Sequence, residues 1–226
     1  MKIVLIVSAD AEWRVIKELI PDHVVAYSPY GEYISMTIKT GELVIFQGGW
    51  GKISAAASAQ YVIDHFQPDL IVNLGTCGGF SGRIQTGTVI LVERTLVYDI
   101  LEQMSDSEEA IAHYSTTLDL SWLPKELPVP VRRGLLISAD RDIVVGEIPA
   151  LIKLFGAVAA DWESGSIAWV AQKNGIRVLI LRVVTDLVGD KGGEAYGNIG
   201  LFHERTRTEM KKLFEILSTW LKQTDI

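Results

Sequence analysis

The chain has 226 residues, of which 48% are hydrophobic and 22% charged, with a formal net charge of −7 and one cysteine. That size and apolar content can build one sizeable core and fit a single large domain over residues 1–226 better than two small ones. The acidic balance lacks the clustered Lys and Arg that neutralise phosphates, so no nucleic-acid partner is expected, and a lone cysteine excludes an intramolecular disulfide framework.

From the amino terminus, residues 2–7 read as a buried strand. The apolar run Ile3-Val4-Leu5-Ile6-Val7 is too short for a signal segment with a cleavage site. Glu12 to Leu19 has helical spacing that Pro21 ends. Tyr33 to Lys39 and Glu42 to Phe46 flank Thr40-Gly41 as a hairpin. Ser54 to Phe66 is an Ala-rich helix, and Pro68-Asp69 turns the chain into the strand Leu70 to Leu74. Thr88 to Val97 is a further strand. Residues 102–131 are acidic and irregular, a length that marks either a functional or a solvated loop. Gly134 to Ser138 is a strand, and Ile148 to Phe155 a helix. Asp161 to Ala168 predicts a helix with a carboxylate in its first turn. The apolar run Ile176 to Val184 predicts a buried parallel strand that stops at Thr185-Asp186, and Phe202 to Lys222 is a final amphipathic helix. No segment approaches the ~20 apolar residues needed to span a bilayer. A soluble cytoplasmic protein is expected. The repeated β-then-α order predicts an α/β/α sandwich around a central mixed, mostly parallel twisted sheet.

Ligands of such sheets bind in the crevice outside the carboxyl ends of the strands, which is where Asp186 falls. Two carboxylates converging there suggest acid/base or cation-stabilising chemistry. The glycine turns Gly48-Gly49-Trp50-Gly51 and Gly75-Thr76-Cys77-Gly78-Gly79 each follow a strand and let backbone approach a ligand, although glycine turns after strands are common. Neither has the spacing of a P-loop or of the dinucleotide fingerprint. His23, His65, His113 and His203 show no ligand spacing, so no metal and no other cofactor is expected. Trp13, Trp169 and Trp220 read as packing residues of a core or a subunit contact.

The ordered set Ser8-Ala9-Asp10-Ala11-Glu12, Gly49-Trp50-Gly51-Lys52, Asn73-Leu74-Gly75-Thr76-Cys77-Gly78-Gly79, Ser138-Ala139-Asp140, Asp161-Trp162-Glu163 and Arg182-Val183-Val184-Thr185-Asp186 resembles the nucleoside phosphorylase/nucleosidase superfamily. Within it the pattern is most similar to the methylthioadenosine/S-adenosylhomocysteine nucleosidases, from about residue 2 to about residue 222. The resemblance implies a nucleoside phosphorylase-like fold, a homodimer and a purine nucleoside substrate with a modified 5′ position. It implies that Asp186 protonates the leaving base, Glu12 activates the attacking water, and Glu163 holds the ribose hydroxyls and shields the developing cation. Arg182 would order the acidic cluster near the substrate. Thr76, Cys77, Gly78, Ile143, Trp162 and Thr185 would lie along sugar and base, with Cys77 as a small packed residue rather than a nucleophile. Each acid also has a plain use, as a turn cap for Asp186 and as helix acids for Glu12 and Glu163.

Phosphorylases of the superfamily carry arginines after the first strand and before the second glycine turn; here those places hold Ser8 to Glu12 and Asn73. Without guanidinium ligands for a phosphate dianion, water is the expected nucleophile. Three places depart from the pattern. Asp142 replaces a Phe that stacks on adenine, Trp162 replaces a Met at the ribose, and Tyr98-Asp99 replaces a His-Asp pair ahead of the loop that shapes the 5′ pocket. These departures keep open a futalosine hydrolase, another purine nucleosidase or phosphorylase, and a non-catalytic nucleoside-binding relative. Tyr196 and Phe202 are candidates either for a lid or for core packing.

Overall fold

The computed structural model of the protein describes residues 1–223. The first half contains β1 (Lys2–Val7), α1 (Asp10–Leu19), β2 (Ala26–Tyr27), β3 (Glu32–Ile38), β4 (Gly41–Gln47), α2 (Lys52–Phe66), β5 (Leu70–Phe80) and β6 (Val89–Val97). The second contains α3 (Ser107–His113), β7 (Thr116–Thr117), β8 (Arg132–Ser138), α4 (Ile148–Phe155), β9 (Ala159–Asp161), α5 (Ser164–Lys173), β10 (Arg177–Gly189), β11 (Gly192–Gly193) and α6 (Ile199–Gln223).

One sheet runs through all the strands, and β5 is its centre. Its first half is paired in parallel with β1, from Ile3↔Leu70 to Ile6↔Asn73, and with β10 on the other side. Past Asn73 it leaves β1, and β9 pairs with it antiparallel at Gly78↔Ala160. β10 pairs antiparallel with β6, β6 parallel with β8, and β8 parallel with β9. The path β5–β10–β6–β8–β9 therefore closes on itself, which removes edges that could template further pairing. β4, β3 and β2 extend the sheet beyond β1.

Side-chain alternation divides each inner strand between two helical layers. Val4 and Ile6 of β1 face one apolar cluster with Ala55, Ala59 and Val62 of α2 and Ile167, Ala168 and Ala171 of α5. Ile3, Leu5 and Val7 face the other, with Trp13 and Ile16 of α1 and Met210, Leu213, Leu217 and Trp220 of α6. This is the expected α/β/α sandwich. Trp13 and Trp220 are core residues, whereas Trp169 is half-buried and donates its indole N–H to the His113 carbonyl. Among the described residues no helix is long and apolar enough to cross a membrane.

Four local expectations need correction. β5 does not stop at Leu74 but runs through the glycines to Phe80, because β10 and β9 go on supplying ladder partners. β10 does not stop at Asp186 but continues to Gly189, with a register shift between Val184 and Asp186 where Thr185 is the extra residue. Asp161 ends β9, and Glu163 precedes α5 rather than lying in its first turn. Residues 102–131 are not wholly irregular: they hold α3, capped by Asp106 accepting from the Glu108 amide, and β7 against β6.

Gly75 is required by close approach rather than by a turn. A Cβ there would sit 2.2 Å from Arg182 Nη1 and 2.9 Å from Glu12 Oε1. Replacing a strand glycine by alanine ordinarily stabilises by ~0.5–1 kcal/mol, but these buried neighbours are tied down and overpacking costs ~1–3 kcal/mol. Gly75→Ala is therefore expected to lower the thermal unfolding midpoint; an unchanged or higher midpoint in scanning calorimetry would contradict this packing.

Candidate active site

A cavity of about 770 Å³ opens at the carboxyl-end rim of β1, β5 and β10. Glu12, Thr76, Cys77, Gly78, Ile143, Trp162, Glu163, Thr185 and Asp186 all line it. Arg182, expected beside the substrate, is different: it is 1% exposed and lies behind the wall. No residue of the 102–131 segment lines the cavity, so within this chain that segment does not shape the pocket.

Arg182 ties the inner wall together. Its Nε donates to Ser164 Oγ at 2.9 Å, Nη1 to the Thr76 carbonyl at 3.2 Å, and Nη2 to Asn73 Oδ1 at 2.9 Å. Nη2 also lies 3.0 Å from Asp161 Oδ2 and 3.6 Å from Glu163 Oε2, and Nη1 lies 4.0 Å from Glu12 Oε1. One buried cation thus faces three carboxylates. Asp161 is the most fully hydrogen-bonded, because Ser138 and Ser164 hydroxyls and the Ser164 amide also donate to it. Among the described residues that face this cluster Arg182 is the only cation within ion-pair distance, which leaves the acids collectively under-compensated.

Each acid meets the cavity in a different state. Glu12, on the first turn of α1, has Oε1 fixed by the Thr76 amide at 2.6 Å and the Thr76 hydroxyl at 2.8 Å. Its Oε2 accepts the Ala9 amide at 3.1 Å and keeps lone-pair capacity for a further donor. Glu163 accepts the Gly51 amide at 3.1 Å; burial, together with the nearby Asp161 and Glu12, pushes its carboxyl from 4.5 to about 8 against the pull of Arg182. Asp186, on the far wall, is pushed above the usual carboxylate range by burial, offset in part by the Thr185 hydroxyl at 3.0 Å and by Arg205.

The outer wall is aromatic and mixed. The Trp50 and Trp162 ring centroids are 5.7 Å apart, and Trp50 stays exposed at the opening. The Gly51 conformation, φ +86°, suits glycine and turns the amide of this loop onto Glu163. Asp142 lies exposed at the cavity, whereas Ile143 is buried and its carbonyl accepts the Tyr196 hydroxyl at 2.9 Å. Phe202 lines the same side. Asp99 does not reach the cavity but pairs with Lys52 beneath the Gly49–Lys52 loop. Burial pushes the Cys77 thiol far up, which removes it as a thiolate nucleophile.

Sequence reasoning missed Asn73, Ser164 and Asp161 as structural partners of the cluster. Asn73 left a trace, a polar residue inside the apolar run Leu70 to Leu74, since buried polar groups are exceptional unless bonded. Its side chain is spent on the Ile6 carbonyl, Arg182 and Ser164.

Comparison with known proteins shows the family. The family described as Phosphorylase superfamily matches residues 2–222. A 5′-methylthioadenosine/S-adenosylhomocysteine nucleosidase of Buchnera aphidicola subsp. Schizaphis graminum is 30% identical over 198 residues, covering 83% of this chain and 84% of that one. The chain belongs to the phosphorylase superfamily, among its methylthioadenosine/S-adenosylhomocysteine nucleosidases. The fold is shared with solved structures at lower identity. The Helicobacter pylori nucleosidase of that name, with butyl-thio-DADMe-Immucillin-A, superposes with a TM-score of 0.82 at 18% identity, covering 99% of this chain and 98% of that one. Futalosine hydrolase of the same organism gives 0.82 at 19% identity, covering 98% of both chains.

The Glu163 environment sets a pH dependence of stability. A carboxyl whose value is raised on folding binds more protons folded than unfolded between about 4.5 and about 8, so stability falls as pH rises through that window. The slope is at most about 1.4 kcal/mol per pH unit for one group. Asp186, also raised, contributes with the same sign. Glu163→Gln is expected to flatten the decline in unfolding midpoint between pH 5 and pH 8, measured in ~1-unit steps; an undiminished slope would show that Glu163 is ionised throughout.

Proposed function

We propose that the protein hydrolyses the N-glycosidic bond of a 5′-modified adenosine, methylthioadenosine, S-adenosylhomocysteine or both, to adenine and the modified ribose, without a cofactor. The observation that carries this reading is the convergence of Glu12, Glu163 and Asp186 on one cavity, in three different electrostatic settings. Asp186, whose carboxyl is raised above its ordinary value by burial, is suited to donate a proton to the departing base. Glu12, with Oε1 anchored and Oε2 open to a donor, is suited to orient and deprotonate water. Glu163, next to Trp162 and bonded to the Gly51 amide, is suited to accept the ribose hydroxyls; those donors, and the positive charge developing on the sugar, favour its ionised form in the complex. Thr76, Gly78, Ile143 and Thr185 then lie along sugar and base, with Arg182 acting through the acids it holds.

Water is the preferred nucleophile because Asn73, at a place where a phosphorylase would offer a guanidinium, has its side chain fully engaged inside the protein. A futalosine hydrolase would be favoured by a basic group from the 102–131 segment at the pocket, and that segment supplies no lining residue. The homodimer and cytoplasmic setting belong to the same reading, as does a role in nucleoside catabolism and methionine salvage. Support for the dimer comes from Leu101 and Met104, apolar and 81% and 94% exposed just after β6.

Release of the free purine base, adenine from methylthioadenosine and S-adenosylhomocysteine and hypoxanthine from futalosine, in phosphate-free buffer tests this reading. The expected outcome is release from at least one of the two adenosines, falling by about 100-fold or more in Asp186→Asn. Release only on adding phosphate would make the protein a phosphorylase, and release from futalosine alone would move it to the other hydrolase class.

A further inference from the structure

The bulge in β10 has a second set of partners on its outer side. Arg205 of α6 donates Nη1 to the Thr185 carbonyl at 3.1 Å and pairs through the same nitrogen with Glu194 Oε2. Glu194, just after β11, accepts the Leu187 amide on that same oxygen at 3.1 Å and donates its own amide to the Leu187 carbonyl at 3.0 Å. The pair thus grips the backbone one residue before and one residue after Asp186. Neither side chain lines the cavity. Both are partly exposed, so neither is needed to fill the core.

A bulge re-aims a side chain but leaves the local ladder incomplete, so it must be held by groups outside the ladder. We propose that the Arg205–Glu194 pair is a positioning device for Asp186, fixing the bulge so that the carboxyl keeps its direction into the cavity. The inference rests on the hydrolase reading for its kinetic consequence, though not for its geometry. The hairpin that carries Glu194 also carries Tyr196, whose hydroxyl reaches the Ile143 carbonyl across the pocket. The outer clamp and the inner wall are therefore parts of one short segment.

The charges of the pair act on Asp186 in opposite directions, Arg205 favouring the ionised carboxyl and Glu194 the neutral one. The other titratable groups around Asp186 are Asp142, Tyr196 and Cys77, with Asp10, Glu12, Arg14, Arg141, Asp161, Glu163 and His203 also on the cavity wall. A general acid must be protonated to act, so activity falls as pH rises past its titration. Arg205→Met is expected to move that alkaline limb of kcat upward and Glu194→Gln to move it downward, a divergence that mere loosening of the fold would not produce.

The test uses the full chain with Arg205→Met, Arg205→Lys, Glu194→Gln and, as a control on the same helix, Arg207→Met, whose partner is Glu18. Steady-state kinetics on methylthioadenosine and hydrogen exchange of the ligand-free protein over residues 184–190 are measured together. Expected are a kcat lower by about 10- to 100-fold in Arg205→Met with KM changed by less than about 3-fold, partial recovery in Arg205→Lys, and faster exchange over that segment alone. A kcat within about twofold of wild type in Arg205→Met would overturn the clamp while leaving the hydrolase reading intact. If wild type releases no adenine, the hydrolase reading fails and exchange decides alone: acceleration confined to 184–190 supports the clamp, and unchanged exchange overturns it.

Discussion

A guanidinium buried among carboxylates constrains everything else in this molecule. Arg182 cannot lose its proton and cannot leave its charge unpaired, so Asp161, Glu163 and Glu12 must approach it, and Asn73, Ser164 and the Thr76 carbonyl must take up its remaining N–H groups. Those partners come from β5, β9, the start of α5 and α1. Gly75 is bare because the guanidinium passes where its side chain would be. One positive charge does not balance three negative ones, and Glu163, bonded to a single backbone amide, is the acid whose carboxyl is raised by the imbalance and by burial.

The closed path of strands explains why the acids can meet. β5 changes neighbours halfway along, from β1 to β9, which brings Asp161 and Glu163 around to the strand ends that already carry Thr76 and, beside it on α1, Glu12. β10 remains paired with β5 throughout, and its bulge at Thr185 brings Asp186 to the opposite wall. The two walls thus differ in chemistry. One is a fixed, charged network centred on Arg182; the other carries a carboxyl raised by burial, and the rim includes Asp142 and Trp162, two side chains that depart from the family pattern.

The layered architecture was legible in the sequence because period-2 alternation in the strands and apolar stripes on the helices are local properties. Glu12, Glu163 and Asp186 were legible as a set through the motifs that contain them, and all three line the cavity. What was not legible depended on partners distant in sequence. The extension of β5 through glycines needs β9 and β10 as ladder partners, and no local propensity announces it. Glu163 has the sequence context of a helix acid, yet its carboxylate accepts from Gly51, more than a hundred residues away. Arg182 reads from sequence as a substrate neighbour, but its burial follows from packing among four elements. The bulge at Thr185 and its partners Arg205 and Glu194 leave no signature, since nothing in an apolar strand marks an extra residue.

The charge imbalance around Arg182 underlies the whole site, and the protonation of Glu163 in the ligand-free protein tests it directly. Carbon-13 NMR of side-chain carboxyls, with Glu163→Gln used to assign the resonance, follows that group through its titration. A midpoint near 8 is predicted, far above an ordinary glutamate at 4.5. A midpoint in the ordinary range would mean that Arg182 neutralises Glu163 outright, and the arrangement of one cation among three under-compensated acids would be wrong.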